Sequence, residues 1–332
     1  MDTITVKSAE TPGRTMTIDL EGTTIPLSIR PAQRPTFDER RLAHADQVLV
    51  RVDAFSCNYR DKSLIVDAAL RLEAEESLAP AHFGSEFVGK VVACGASVTR
   101  WRAGDRVMPD AAYPGLGGTN SPAGIVTNVA SCGWVRTRED RLALALVPEQ
   151  MPMEVAAAYS LGAQTSASMI RRAEVKPGDR VLVTSARSNT SLFLVTALNE
   201  LGAVVVALST TAWTEEERLF ITPAFLTEPD QFPPPPMWDP SEGFDVVMDP
   251  FFDLNLTRSV VSLRKGGRYV TCGMQRQHPS FPARERPRIP IDDVFRVDEG
   301  EAFLERTFNA RRRFGKVVMR YADDGQEDDR AS

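Results

Sequence analysis

Apolar and polar positions change rhythm near the middle of this 332-residue chain. Up to about Pro148 the apolar residues come in short runs that alternate or cluster like strands. Val48-Leu49-Val50-Arg51-Val52, Phe87-Val88-Gly89-Lys90-Val91-Val92 and Asp105-Arg106-Val107-Met108 predict three of them. Dense Gly and Pro from Pro109 to Gly133 predict loops, and residues 65–80 mix apolar and acidic positions as a helix does. Beyond Pro148 the pattern predicts an Ala-rich helix from Glu154 to Arg172 with one interruption at Gly162. A turn at Lys176-Pro177-Gly178-Asp179 follows, then a buried strand at Arg180–Thr184. A helix at Leu192–Leu201 is stopped by Gly202, and a second buried strand runs over Ala203–Leu208. Strand, helix, strand at this spacing is a βαβ unit and implies a parallel sheet. Further strands are predicted at Phe244–Met248 and Arg268–Cys272, each introduced by Gly, with an irregular Pro233–Pro236 connection between them. The acidic stretch from Asp323 to Ser332 predicts a frayed end.

The fold class expected is therefore α/β, with a β-rich first part and a doubly wound parallel sheet after it. A net charge of −6 argues against the phosphate backbone of nucleic acids as a partner. No apolar stretch approaches the length of a membrane span, and MDTITVKSAE has no apolar signal-peptide core. A cytoplasmic protein acting on a small-molecule substrate is the expectation. The four cysteines form no CxxC pair, and the three histidines are scattered, so spacing predicts no metal site.

Four blocks carry a resemblance that runs over nearly the whole chain. These are Asn58-Tyr59-Arg60-Asp61; Gly84-Ser85-Glu86-Phe87-Val88-Gly89 leading to Gly104-Asp105-Arg106-Val107; Lys176-Pro177-Gly178-Asp179-Arg180-Val181-Leu182-Val183; and Phe314-Gly315-Lys316-Val317-Val318-Met319. Together and in this order the chain resembles the medium-chain dehydrogenase/reductase superfamily, in its quinone oxidoreductase and enoyl reductase branch. The resemblance implies a GroES-like catalytic domain built from 1–147 and 285–332, with a Rossmann domain inserted at 148–284. The zinc-dependent members place a Cys where this chain has Asn58 and a His where it has Ser85. An amide and a hydroxyl do not replace a thiolate and an imidazole on zinc, so a zinc-independent enzyme is implied. Zinc-free members reduce an activated C=C bond by hydride transfer. Asn58, Asp61 and Thr165 would lie near the nicotinamide, and Tyr59 is the candidate proton donor. Tyr59 and Arg60 as structural packing is the competing reading.

The loop after the first strand of the βαβ unit departs from the family. It reads Ser185-Ala186-Arg187-Ser188-Asn189-Thr190-Ser191, with no glycine where a dinucleotide pyrophosphate needs close backbone approach. Either hydroxyls, amides and Arg187 hold the phosphates instead, or the added side chains fill the space and the nucleotide is lost. The second strand ends at Ser209-Thr210-Thr211 with no acid to bind a ribose 2′-hydroxyl, which favours NADPH, although the nearest downstream cation is Arg218. Asp249 and Cys272-Gly273 end their strands at the sheet edge where α/β ligands bind. A reductase of enones, quinones or enoyl thioesters, a non-redox enzyme on the same fold (elimination, isomerisation or cyclisation), and a silent binding subunit all remain open. The family's homodimer strand is replaced by polar, Pro-rich 275–288, which leaves a dimer in question.

Overall fold

The computed structural model describes residues 1–7, 15–20, 22–75, 79–110, 125–144, 151–221, 225–228, 243–272, 290–310 and 312–321. They fall into two compact units. The first draws on Met1–Asp110, Ile125–Leu161 and Pro290–Ser332, and the second on Gly162–Ile289. The 233–236 and 275–288 segments, Gly273 and the acidic end lie outside the described residues.

The first unit opens with β1 (Asp2–Val6), β2 (Thr15–Leu20) and β3 (Thr23–Pro31), an antiparallel three-stranded sheet in the order β1-β3-β2. A larger sheet is built on β4 (Gln47–Ser56), followed by α1 (Tyr59–Ala74), β5 (Glu86–Cys94), β6 (Arg106–Pro109), β7 (Trp134–Arg138) and β8 (Leu142–Leu144). The alternation that predicted strands at 48–52 and 87–92 is extended at both ends because β4 and β5 pair antiparallel from Val48↔Cys94 to Ser56↔Glu86. Apolar side chains of both sheets, Ile4, Leu27, Val50, Phe55, Phe87 and Val107 among them, form one buried core. The α1 helix begins earlier than its 65–80 pattern suggested. Its buried positions Asp61, Ile65, Ala68 and Leu72 follow the helical stripe of i, i+4, i+7 and i+11.

The Ala-rich segment is two helices, α2 (Met153–Ala157) and α3 (Ser160–Arg172), and the break lies at 158–159 rather than at Gly162. Its cause is a carboxylate: Glu86 Oε2 accepts from the Leu161 N–H at 2.9 Å, so the start of α3 is fixed by a side chain from β5. Gly162 sits inside α3 because a Cβ there would lie 2.6 Å from Asn189 Nδ2 and from the Phe193 ring.

The second unit continues with β9 (Arg180–Val183), α4 (Asn189–Glu200), β10 (Val204–Leu208), α5 (Glu215–Phe220), β11 (Phe225–Thr227), β12 (Phe244–Asp249), α6 (Phe252–Val261) and β13 (Leu263–Thr271). All its strand pairs are parallel, in the order β11-β10-β9-β12-β13. Numbered from β9 this is 3-2-1-4-5, the doubly wound order, and its switch point lies between β9 and β12. The βαβ reading of β9, α4 and β10 holds. The β13 strand starts before its glycines, and Gly266 takes φ +81 beside the register shift with β12. The chain then returns to the first unit through β14 (Ile291–Arg296), α7 (Gly300–Leu304) and β15 (Lys316–Arg320), where β15 pairs antiparallel with β4.

Candidate functional site

In the first unit, three distant segments meet at the carboxyl end of β4. Lys316 of β15 donates to Glu86 at the start of β5, and both are buried. The same ammonium donates to Asn58 Oδ1 at 2.8 Å, to Ser56 Oγ at 3.0 Å and to the Cys57 carbonyl at 3.3 Å. Glu86 also accepts from Ser56 Oγ at 2.6 Å and Asn58 Nδ2 at 3.1 Å. The Asn58 amide is thus held at both ends, by a cation on its oxygen and a carboxylate on its nitrogen.

The start of α1 is fixed by Asp61, whose carboxylate accepts from the Asn58 N–H at 2.6 Å, the reach-back of a capping box. Its other oxygen accepts from the Ser85 hydroxyl. Arg60 donates to Ser85 Oγ at 2.5 Å and to Asn128 Oδ1 at 2.9 Å. Asp61 is fully buried, and burial raises its carboxyl above the usual range against the hydrogen bonds that lower it. Tyr59 is the opposite case: 62% of it is exposed, with Lys62 over its ring at 5.6 Å. Burial, with Asp61 adding to it, pushes the Cys57 thiol up, so it is a protonated core residue rather than a nucleophile. Sequence reasoning brought Asn58, Tyr59, Asp61 and Ser85 together, and missed Glu86 and Lys316 as their anchors. The signal was present in the two blocks that contain them, but not the pairing.

In the second unit, the 185–191 stretch divides. Ser185 turns the chain with φ +47, the left-handed conformation that glycine adopts freely. Ser188 is the N-cap of α4 and accepts from the Ser191 N–H at 3.2 Å, so Asn189, Thr190 and Ser191 already belong to the helix. The hydroxyls form a relay, Ser188 Oγ to Ser191 Oγ at 2.9 Å and Ser191 Oγ to the Thr184 carbonyl at 2.9 Å. Ala186 is buried, with its N–H on the Leu208 carbonyl. Two buried donors of this loop, the Ser185 hydroxyl and Arg187 Nε, have no hydrogen-bond partner among the described residues. A left-handed turn, unused donors, a helix N-terminus and no carboxylate within 185–191 fit a phosphate ester. Ser188 uses one donor that a phosphate would otherwise take.

The Ser209–Thr211 segment is folded by Ser209 Oγ accepting from the Thr211 N–H at 3.1 Å, which leaves Thr210 and Thr211 exposed. No cation adjoins it in sequence, yet the fold brings Arg187 onto Thr211 Oγ1 and into an ion pair with Glu217. Asp249 lies at the switch point, fully buried. It accepts from Thr184 Oγ1 at 2.7 Å, Tyr269 Oη at 2.7 Å and the Phe251 N–H at 3.0 Å, and so ties β9, β12 and β13 together. Cys272 donates to the Pro250 carbonyl at 3.5 Å, and burial pushes its thiol up to about 11. Thr165 is half-buried on α3, and its neighbour Ser166 donates to the Thr190 carbonyl at 2.9 Å. Among the described residues no helix is long and apolar enough to cross a membrane, and no three His, Cys, Asp or Glu side chains converge.

Comparison with known proteins bears on both units. Residues 44–137 match the alcohol dehydrogenase GroES-like domain. A highly reducing polyketide synthase of Alternaria alternata, ACRTS2, is 25% identical over 82% of this chain, and the polyketide synthase GfsB of Streptomyces halstedii is 27% identical over 73%. The chain spans 10% and 4% of these two proteins. Several solved structures share the fold, among them the following. The cobalt- and zinc-bound thermostable alcohol dehydrogenase of Pyrobaculum aerophilum has TM-score 0.71 and 22% identity over 96% of this chain and all of that one. The CurF ER cyclopropanase of the curacin A pathway has TM-score 0.69 and 18% identity over 96% of this chain and 100% of that one. The CurK enoyl reductase has TM-score 0.66 and 19% identity over 96% of this chain and 99% of that one. The match over 44–137 and the shared fold agree: the chain has a GroES-like β-rich part and a parallel Rossmann-like sheet, as those alcohol dehydrogenase and enoyl reductase structures do.

Proposed function

We propose that this chain is a zinc-independent, NADPH-dependent reductase of a C=C bond conjugated to a carbonyl, with an enoyl thioester as its substrate class. The observation that carries this reading is the commitment of Asn58 and Ser85. At the two positions where zinc-dependent relatives place a thiolate and an imidazole, this chain has an amide bound to Lys316 and Glu86 and a hydroxyl bound to Asp61 and Arg60. Those groups serve as hydrogen-bond anchors for α1 rather than as metal ligands. The thioester preference draws on the reducing polyketide synthase among its relatives and the enoyl reductase among its structural neighbours.

Bound NADPH would supply a hydride to the β carbon of the acceptor. The π electrons then move toward the carbonyl oxygen, and the α carbon needs a proton. Tyr59, exposed at the first position of α1, donates that proton from its phenol and regains one from solvent. Arg60, fixed by Ser85 and Asn128, offers a positive charge on the same turn for the developing enolate. Asp61 and Asn58 act through position: they set where α1 starts and hence where Tyr59 and Arg60 project. Ser185, Arg187, Ser188 and the α4 N-terminus would hold the nucleotide's phosphates, with Ser209 and Thr210 toward the ribose and Thr165 toward the nicotinamide. Asp249 would stiffen the switch point behind them.

The test is NADPH consumption with crotonyl-pantetheine, run beside a simple quinone, for the wild type and Tyr59→Phe. The reading expects thioester-dependent oxidation, and a kcat for Tyr59→Phe lower by roughly 10²-fold with KM little changed. No oxidation with either acceptor, or full activity of Tyr59→Phe, contradicts it. A second reading, a cyclisation or other non-redox step, is favoured by the glycine-free 185–191 loop and by a cyclopropanase of the same fold. Product formation from a pathway thioester with no nucleotide present would establish it.

A further inference from the structure

Arg187 and Glu217 form an ion pair between two segments of the second unit that lie 30 positions apart. Arg187 stands in the loop after β9 and Glu217 in α5, beyond the end of β10. Their side chains are 14% and 6% exposed. The guanidinium also donates to Thr211 Oγ1 and to the Ala212 carbonyl at 3.4 Å. It therefore spans the carboxyl ends of β9 and β10, the edge over which the ribose of a dinucleotide lies in a doubly wound sheet.

Three details point to exchange rather than a permanent tie. Arg187 Nε is buried and has no hydrogen-bond partner among the described residues, so the cation holds donor capacity that the protein does not use. Thr210 and Thr211 beside it are exposed hydroxyls on a turn already formed by Ser209. Glu217 has a second attachment: its other oxygen accepts from the Thr214 N–H at 2.8 Å in the capping box of α5. If the guanidinium turns away, Glu217 keeps a partner and α5 keeps its cap.

We propose that the Arg187–Glu217 pair is a charge-exchange latch, in which the 2′-phosphate of an NADPH-type nucleotide takes over the guanidinium and Glu217 is the internal anion it displaces. The proposal rests on the nucleotide-binding reading above and adds to it a residue that recognises the phosphate and a residue that competes with it. A phosphate carries more charge than a carboxylate and accepts from two guanidinium N–H groups at once, so it can outcompete Glu217 where a 2′-hydroxyl cannot. Glu217 then sets what NADPH binding costs: its pair with Arg187 must break for a 2′-phosphate and stays intact beside a 2′-hydroxyl.

The experiment measures dissociation constants of NADPH, NADH, adenosine 2′,5′-bisphosphate and 5′-AMP by calorimetry on the purified chain. The variants are Arg187→Gln, Arg187→Lys and Glu217→Gln, each checked for an intact melting transition. Arg187→Gln is expected to weaken NADPH and the bisphosphate roughly tenfold or more, with NADH and 5′-AMP little changed. Arg187→Lys retains most of the preference. Glu217→Gln keeps the α5 cap, since glutamine serves there too, and is expected to tighten the two 2′-phosphate ligands several-fold. A purely structural ion pair would instead make both neutralised variants bind all four ligands less well, and that result overturns the latch. An unchanged NADPH-to-NADH ratio in Arg187→Gln also overturns it while leaving the nucleotide reading intact. No binding of any of the four ligands by the wild type removes both.

Discussion

Lys316 and Glu86, 230 positions apart, form an ion pair that is 4% and 0% exposed and that joins β15 to the start of β5. The two residues sit in separate sequence blocks, and both bind the Asn58 amide, Lys316 at its oxygen and Glu86 at its nitrogen. Taking two charges out of water is costly, and their mutual attraction with the hydrogen bonds of Ser56 and Asn58 roughly offsets it. Removing one partner leaves the other buried and uncompensated.

Lys316→Met alone is therefore expected to destabilise the chain by about 3–5 kcal/mol. The double variant Lys316→Met, Glu86→Leu should recover much of that loss, because no lone charge remains. Urea unfolding of the two variants checks this, and equal destabilisation by single and double changes would show that the packing, not the charge, carries the contact.

Ser185 turns the chain at φ +47, where a side chain is strained and glycine is not. Ser185→Gly should raise stability by about 1 kcal/mol, less the entropy that glycine adds to the unfolded chain. The measurement is the midpoint of thermal or urea unfolding. A loss of stability would mean that the Ser185 hydroxyl holds something in solution that outweighs the strain.

His82 gives the chain a defined acid sensitivity. Burial, helped by Arg30, lowers its pKa from 6.5 to about 4. Between those values the unfolded chain binds a proton that the folded chain excludes, so stability rises with pH through the window. The contribution is complete above about pH 6.5 and is lost as pH falls toward 4, to the extent of roughly 3 kcal/mol. His82→Leu should flatten the stability profile across that window. An unchanged slope would assign the acid sensitivity to other groups.

How much of this was readable beforehand depends on how far apart the interacting residues are. The β9, α4 and β10 elements were legible because buried parallel strands are continuous apolar runs, and Gly202 marks the end of the helix. The break between α2 and α3 was not, because Glu86 makes it from 75 residues away. Asn58, Tyr59 and Asp61 were found as one block, yet only the structure separates an exposed Tyr59 from a sealed Asp61. Their spacing is that of a capping box, whose geometry was not read from it. Arg187 was taken as a phosphate ligand and Arg218 as the nearest cation to the second strand's end. The fold makes Arg187 that cation, a relation between two loops that no local pattern carries. Sequence order placed Asp249 at the ligand edge; there it accepts from Thr184 and from Tyr269 of β13, and locally from the Phe251 N–H.

On the proposed reading, a loop of hydroxyls and one arginine holds the phosphates of NADPH without a glycine fingerprint. Titration calorimetry of the intact chain with NADPH tests it most directly. Saturable binding of one nucleotide per chain, with a dissociation constant well below about 1 mM, is the predicted result. No heat of binding at millimolar NADPH, with the protein folded in the same cell, would contradict it.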